Sequence, residues 1–559
     1  MMLQIKAGVA CIVHGLHGMI ITTQCLKGKR MDCNFSPYLS LRPVAIGKRG
    51  AVATAQPQAA LAGIEMFLQK GNAVDAAIAM AAALTVLEPT SNGLGSDAFA
   101  LVWDGKPQGL NASGKSPEKL DTDALKGYDR FPELGWLPVT VPGAVSAWMA
   151  LWRRYGSLPL EAIFAPAIRY AEEGFTLTPT IARTWAKDKN RFGDLPEVLR
   201  QSFYDCFFPQ GFLPRPGAIF TNPPQGKVLR EIAETAGESF YRGNIAAKIV
   251  AFSESTGGYL SKKDLAEHAV LWVEPLALDY RGHTVYELPP NGQGLAALIA
   301  LGILSGFELS QYPKASLESY HLQIEAMKLA LADARHYIAD PEHMAVASQS
   351  FLHPGYLAQR GASIGWQALP LVNPGLPQGG TVYLAAADGE LMVSLIQSNF
   401  MGFGSGVVVP GTGIALQNRG ACFTLDLDHP NGAAPGKRPF HTIIPGFLAK
   451  DGQALGPFGV MGGPMQPQGH VQVLVNMLDY GMNPQSALDA PRWQFLEHNR
   501  VLLESSVPRS IALGLADRGH AVEMTAETAP FGKGQIILKN NGFFLAGSEP
   551  RADGLALAW

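Results

Sequence analysis

Gly379-Gly380-Thr381-Val382-Tyr383-Leu384 stands between a loop-like run and two apolar strand candidates, and the rest of the chain reads as its housing. Upstream, residues 371–378 include Pro374, Gly375 and Pro377, a turn-forming composition. Downstream, 382–387 and 391–398 are apolar runs joined through Asp388-Gly389. Such a pair suits the positive φ angles of a two-residue hairpin loop. Thr381 therefore opens the first strand of a hairpin, directly after two glycines. With Asp388-Gly389 as the loop, Ala387 faces Glu390 and Thr381 stands opposite Ile396, leaving Ser398 a diagonal neighbour on the Thr381 face.

A threonine hydroxyl is a poor nucleophile until a base takes its proton, and the α-amino group of the same residue is one such base. That amine titrates near neutrality, so a useful fraction is unprotonated at physiological pH. Exposing it requires cutting the Gly380–Thr381 peptide. The natural route is attack by the Thr381 hydroxyl on the Gly380 carbonyl, then hydrolysis of the ester. Gly380 helps by tolerating backbone angles that a Cβ forbids.

The 559 residues are 47% hydrophobic and only 16% charged, which gives a globular chain with a large core. A net charge of −3 offers no reason to expect nucleic acid or an anionic membrane as partner. Cys11, Cys25, Cys33, Cys206 and Cys422 lack metal-type spacing and point to a reducing, cytoplasmic setting rather than a disulfide framework. Residues 7–25 carry His14 and His17 and read neither as an export signal nor as a membrane span. Met31 is a candidate true start, with residues 1–42 as an N-terminal extension.

Residues 73–87 are apolar almost all round and too short to span a bilayer, so they form a buried core helix. Residues 200–225, with Phe203, Phe207, Phe208 and several prolines, read as irregular surface structure. Residues 317–339 form a helix with His321, Glu325 and Lys328 on one stripe and Arg335 further along. Two cations within it argue against a metal, so the stripe is expected to hydrogen-bond to a neighbour. Gly361-Ala362-Ser363-Ile364-Gly365 fits a nucleophile-elbow pattern but has a helical run before it and a loop after it, the reverse of what an elbow needs. The Gly462-Gly463 turn suits an oxyanion, because no side chain blocks approach to its N–H groups.

From about Gly50 onward these residues resemble the gamma-glutamyltranspeptidases, which are N-terminal-nucleophile hydrolases. The likeness is carried by Gly71-Asn72-Ala73-Val74-Asp75, Glu88-Pro89, Gly93-Leu94-Gly95-Ser96-Asp97, Val141-Pro142-Gly143 and Ala339-Asp340-Pro341. In the last third it continues through Phe403-Gly404-Ser405-Gly406, Lys437-Arg438-Pro439, Gly462-Gly463, Asn483-Pro484-Gln485 and Asp489-Ala490-Pro491-Arg492. The resemblance implies an α+β fold, a four-layer αββα sandwich with additional helices in the large subunit. It also implies a large segment 43–380 and a small segment 381–559 that form one intertwined domain. Thr381 matches the nucleophile, Ser398 a supporting hydroxyl, and Gly462 and Gly463 the oxyanion hole.

The pocket for the amino-acid head group departs from the family. Its carboxylate-gripping arginine falls at Ser113, with Lys115 close by. The aspartate that receives the α-amino group falls at Cys422, a glutamine at Arg419, an asparagine at Phe400, and paired serines at His441-Thr442. Losing a charge-assisted partner for a buried ammonium costs roughly 1.5–3 kcal/mol. The resemblance implies an acyl-enzyme that passes a γ-glutamyl or related acyl group to water or an amine, with no cofactor or metal. The alternatives are a glutaryl- or cephalosporin-type acylase, in which Arg419 and Lys115 hold a carboxylate differently, and a non-processing binding protein on the same fold.

Overall fold

The computed structural model describes residues 42–370 and 380–559. The readings at Met31, at Cys11, Cys25 and Cys33, and on the 371–378 loop fall outside the described residues.

Helix Ala73–Leu87 is buried along its whole length. Its start is fixed by a capping box: Asn72 Oδ1 accepts from the N–H groups of Val74 and Asp75, and Asp75 Oδ2 accepts from the Asn72 N–H. Alanines on every face let helices Pro57–Leu68 and Leu160–Glu173 approach from one side and strands Gly380–Asp388 and Leu391–Phe400 from the other.

Those two strands lie in a seven-stranded sheet ordered Leu555–Ala558, Gly50–Thr54, Gly380–Asp388, Leu391–Phe400, Asp97–Trp103, Pro107–Asn111, Leu271–Val273. A second seven-stranded sheet is ordered Ala45–Gly47, Phe543–Ser548, Lys533–Asn540, Gln453–Met461, Gly446–Lys450, His283–Glu287, Leu276–Tyr280. The described pairings within both sheets are antiparallel. The sheets pack face to face, and helices Gly294–Leu304, Met465–Leu478 and Pro484–Asp489 cover the outer face of the second. The result is the expected α+β sandwich in four layers, αββα.

Two expectations change. Residues 197–207 form a helix, and Phe203 and Phe207 are buried against Trp185, Phe192 and Phe403. The phenylalanines that suggested irregular surface are the core of an aromatic cluster. The loop moves on by one residue and the hairpin register shifts by two: Asp388 pairs with Leu391 and Ala387 with Met392 rather than Glu390, so the loop residues are Gly389-Glu390. Only Gly389 takes a positive φ (59°), the pattern of a Gly-X loop, and Asp388 stays in the ladder.

Candidate active site

The corrected register puts Tyr383, not Thr381, opposite Ile396. Between the pairs Val382–Gln397 and Gly380–Phe400 the ladder is irregular, and Ser398 and Asn399 together face Thr381. This bulge brings Ser398 Oγ to 3.1 Å from Thr381 Oγ. Ser398 Oγ also accepts the Phe400 N–H at 2.8 Å, which fixes the hydroxyl in place. The bulge leaves Phe400 at φ +73°, a left-handed conformation that costs a residue with a Cβ about 1–2 kcal/mol. Both hydroxyl residues are buried.

Across from this bulge, strand Gln453–Met461 ends in Gly462 and Gly463, at φ +135° and +59°. A side chain at Gly462 would press on the Gly532 Cα at 3.0 Å. Among the described residues neither glycine N–H has a backbone acceptor. Gln466, in the first turn of the following helix, reaches Thr381 Oγ with its Nε2 at 3.5 Å, while its Oε1 accepts the Ile444 N–H at 2.9 Å. Gln293 Nε2 donates to the Gly463 carbonyl at 2.9 Å and to the Thr442 carbonyl at 2.6 Å. The sequence reading missed both glutamines. Gln466 is one of three glutamines in the helix Met465–Leu478, and nothing local sets it or Gln293 apart.

The head-group residues divide. Arg419 is fully buried; its Nη1 donates to Thr442 Oγ1 at 2.7 Å and stands 3.8 Å from Cys422 Sγ, and its guanidinium lies 4.5 Å over the Phe400 ring. Its Nε and Nη2 have no partner among the described residues. Burial works against the guanidinium charge, with Cys422 and Asp97 opposing, and burial pushes the Cys422 thiol up. Phe400, Arg419, Cys422 and Thr442 thus form one wall, tied to Thr381 through Ser398 and to Gly463 through Gln293.

His441 and Ser113 are turned to other tasks. His441 Nε2 donates to Asp97 Oδ2 at 3.0 Å, and burial keeps the imidazole neutral, its pKa held well below the usual range. Burial raises the Asp97 carboxyl to about 7, against the pull of Arg419 and Arg438. The Ser113 hydroxyl is engaged with Asn111 and Asn291. Arg438 covers the Ser113 carbonyl with its Nε at 3.1 Å. Lys115 is half-buried and makes no side-chain hydrogen bond among the described residues, so it is not part of the Arg419 wall. Asn399, one residue from Phe400, accepts from Ser96 Oγ at 2.8 Å.

Elsewhere, the polar stripe on helix Leu317–Tyr337 binds a neighbouring segment, as expected. His321 Nε2 donates to the Gly365 carbonyl at 2.8 Å. Glu325 accepts the Leu369 N–H at 3.0 Å, and Lys328 donates to the Leu369 carbonyl at 2.8 Å. His321, Glu325 and His520 lie close enough to share an ion. Lys328 already bonds Glu325 at 2.9 Å, however, so a cation stands against the carboxylate, and the His520 ring bonds His321 at 2.9 Å. The segment 361–365 follows the end of helix Pro354–Gly361, without the preceding strand an elbow needs. A cavity of about 730 Å³ between helix Glu197–Phe207 and residues 408–413 is lined by none of the candidate site residues.

The gamma-glutamyltranspeptidase model matches residues 59–559. The glutathione hydrolase-like YwrD proenzyme of Bacillus subtilis (strain 168) is 35% identical over 526 residues, 92% of this chain and 99% of that one. The oxamate amidohydrolase proenzyme of Klebsiella pneumoniae is 33% identical over 519 residues, 90% of this chain and 96% of its own. Among solved structures, a cephalosporin acylase from Bacillus halodurans superposes with a TM-score of 0.90 at 53% identity, covering 94% of this chain and 99% of that one. By matches that run through nearly its whole length, the chain belongs to the gamma-glutamyltranspeptidase family of N-terminal-nucleophile hydrolases.

Proposed function

We propose that this chain is a precursor that cuts itself between Gly380 and Thr381 and then hydrolyses amides whose acyl part ends in a free carboxylate and carries no α-amino group. Thr381 supplies the nucleophilic oxygen and, once freed, the amine that takes its proton. Ser398 orients the threonine, and the N–H groups of Gly462 and Gly463 receive the oxyanion.

The observation that carries the substrate class is Arg419, a fully buried cation with two donors unpartnered among the described residues. A buried unpaired charge is costly. A ligand carboxylate would meet Nε and Nη2 as a two-pronged acceptor, the geometry in which arginine binds most strongly. Beside it, where an ammonium would need an anion, stands the Cys422 thiol, and Asp97 is engaged with His441 and the Gly114 N–H. An acyl group such as glutaryl therefore suits this wall better than γ-glutamyl. The cephalosporin acylase and oxamate amidohydrolase among the relatives agree with that choice.

A second reading, γ-glutamyl transfer to water or an amine, is favoured by the glutathione hydrolase-like relative and by the presence of Thr381, Ser398 and the Gly462-Gly463 turn. Side-by-side turnover of glutaryl and γ-glutamyl anilides by the mature protein tests the two. Faster cleavage of the γ-glutamyl compound would overturn the first. An uncut chain that binds but does not turn over either would favour a binding protein.

A further inference from the structure

We propose that Gln466 is a catalytic residue, whose side-chain N–H donates to Thr381 Oγ and stabilises that oxygen whenever it carries negative charge. The proposal rests on the reading of Thr381 as the nucleophile. The amide orientation is fixed by its other end: Oε1 accepts the Ile444 N–H at 2.9 Å, so the group 3.5 Å from Thr381 Oγ is the donor Nε2. Gln466 is fully buried, which shields this contact from bulk water. Its backbone N–H donates to the Gly463 carbonyl at 3.1 Å, so the turn proposed for the oxyanion and this donor are parts of one rigid helix start. The resting contact is long. Catalytic hydrogen bonds in unliganded enzymes often are, and they tighten as charge develops.

A threonine hydroxyl has one proton and two acceptor sites. Gln466 can only donate here, so it occupies a lone pair and leaves the proton for Ser398 or the α-amine. In acylation the Oγ–C bond forms as the Oγ proton passes to the amine, and the amide C–N bond breaks as that proton reaches the departing nitrogen. In deacylation water attacks the ester, the amine takes the water proton, and Oγ leaves and regains it. In self-cleavage Oγ bonds to the Gly380 carbonyl carbon, the Thr381 nitrogen leaves with the proton, and water then cleaves the ester. In each step Oγ bears partial negative charge, and one N–H serves all three.

The test compares Gln466→Leu and Gln466→Glu with wild type, from pH 5 to 9. It reads precursor cleavage by intact mass and turnover of the anilide that wild type prefers, with thermal unfolding as a control for folding. A leucine removes the donor, and both rates should fall about 10- to 100-fold at every pH. A glutamate donates only while protonated, so its rate relative to wild type should fall as pH rises. The other titratable groups near this helix turn are the Thr381 amine and the Glu287–His470 pair one turn along; the leucine variant adds no charge and so reports their contribution without the new carboxylate. Leucine rates within twofold of wild type, or a glutamate ratio flat with pH, would overturn the proposal. Thr381→Ala, run in parallel, separates the two ideas: if it stays cut and active, the nucleophile reading fails instead.

Discussion

Around Thr381 the contacts come from backbone geometry: a bulge that swings Ser398 inward, a Gly-Gly turn at the end of a facing strand, and a helix start that carries Gln466. Around Arg419 they come from side chains on separate stretches, Phe400, Cys422 and Thr442, with Asp97 held by His441 behind them. The first arrangement needs particular chain paths and tolerates little change. The second can be rewritten one residue at a time, which is how one reaction can be fitted to different acyl groups.

The sharpest way to break this comparison is at Thr381. Thr381→Ala should leave one uncut chain and lower amide turnover by at least ~1,000-fold, read by intact mass and anilide assay. Next comes Arg419→Met. It should leave self-cleavage unchanged but slow turnover of a carboxylate-ended donor by about 10- to 150-fold, equivalent to about 1.5–3 kcal/mol. A matching loss of self-cleavage would mean that the two ends are not separable. Ser398→Ala should slow both self-cleavage and turnover by roughly tenfold, the range of one neutral hydrogen bond.

The smallest effect lies outside both ends. Burial holds His268 and His520 down to about 3, whereas an unfolded histidine titrates near 6.5. Below pH 6.5 the unfolded chain takes up protons that the folded one refuses. Stability is therefore fully present above 6.5 and declines toward pH 3, by up to about 1.4 kcal/mol per pH unit for each histidine. Urea unfolding of the uncut Thr381→Ala protein at pH 7 and pH 5, with and without His520→Asn, should show that removing the histidine lessens the loss of stability on acidification.

Thr381 and its neighbours were legible because glycines, a turn pair and an alternating strand pattern are local signals. The layer order and the buried helix Ala73–Leu87 were legible for similar reasons, together with the family likeness. The two-residue register error came from placing the loop one residue early, at Asp388-Gly389, when a Gly-X loop needs positive φ at Gly389 alone. That shift carries Ser398 from a diagonal position to one facing Thr381, and the bulge that adds Asn399 beside it is a feature strand counting does not foresee. Gln293, Gln466 and the diversion of His441 to Asp97 depend on contacts between segments far apart in sequence, and no local pattern marks them.

The interleaved order of the central sheet has a consequence for the life of the protein. The hairpin 380–400 lies between Gly50–Thr54 and Asp97–Trp103, and the carboxyl-terminal strand zips onto the outer side of Gly50–Thr54. A nick ahead of Thr381 would leave two polypeptides threaded through each other like clasped fingers. Assembly could then happen once, while the chain is whole. Heat or urea would act as a one-way ratchet: melted mature material should fail to regain its shape, whereas the uncut Thr381→Ala protein should spring back.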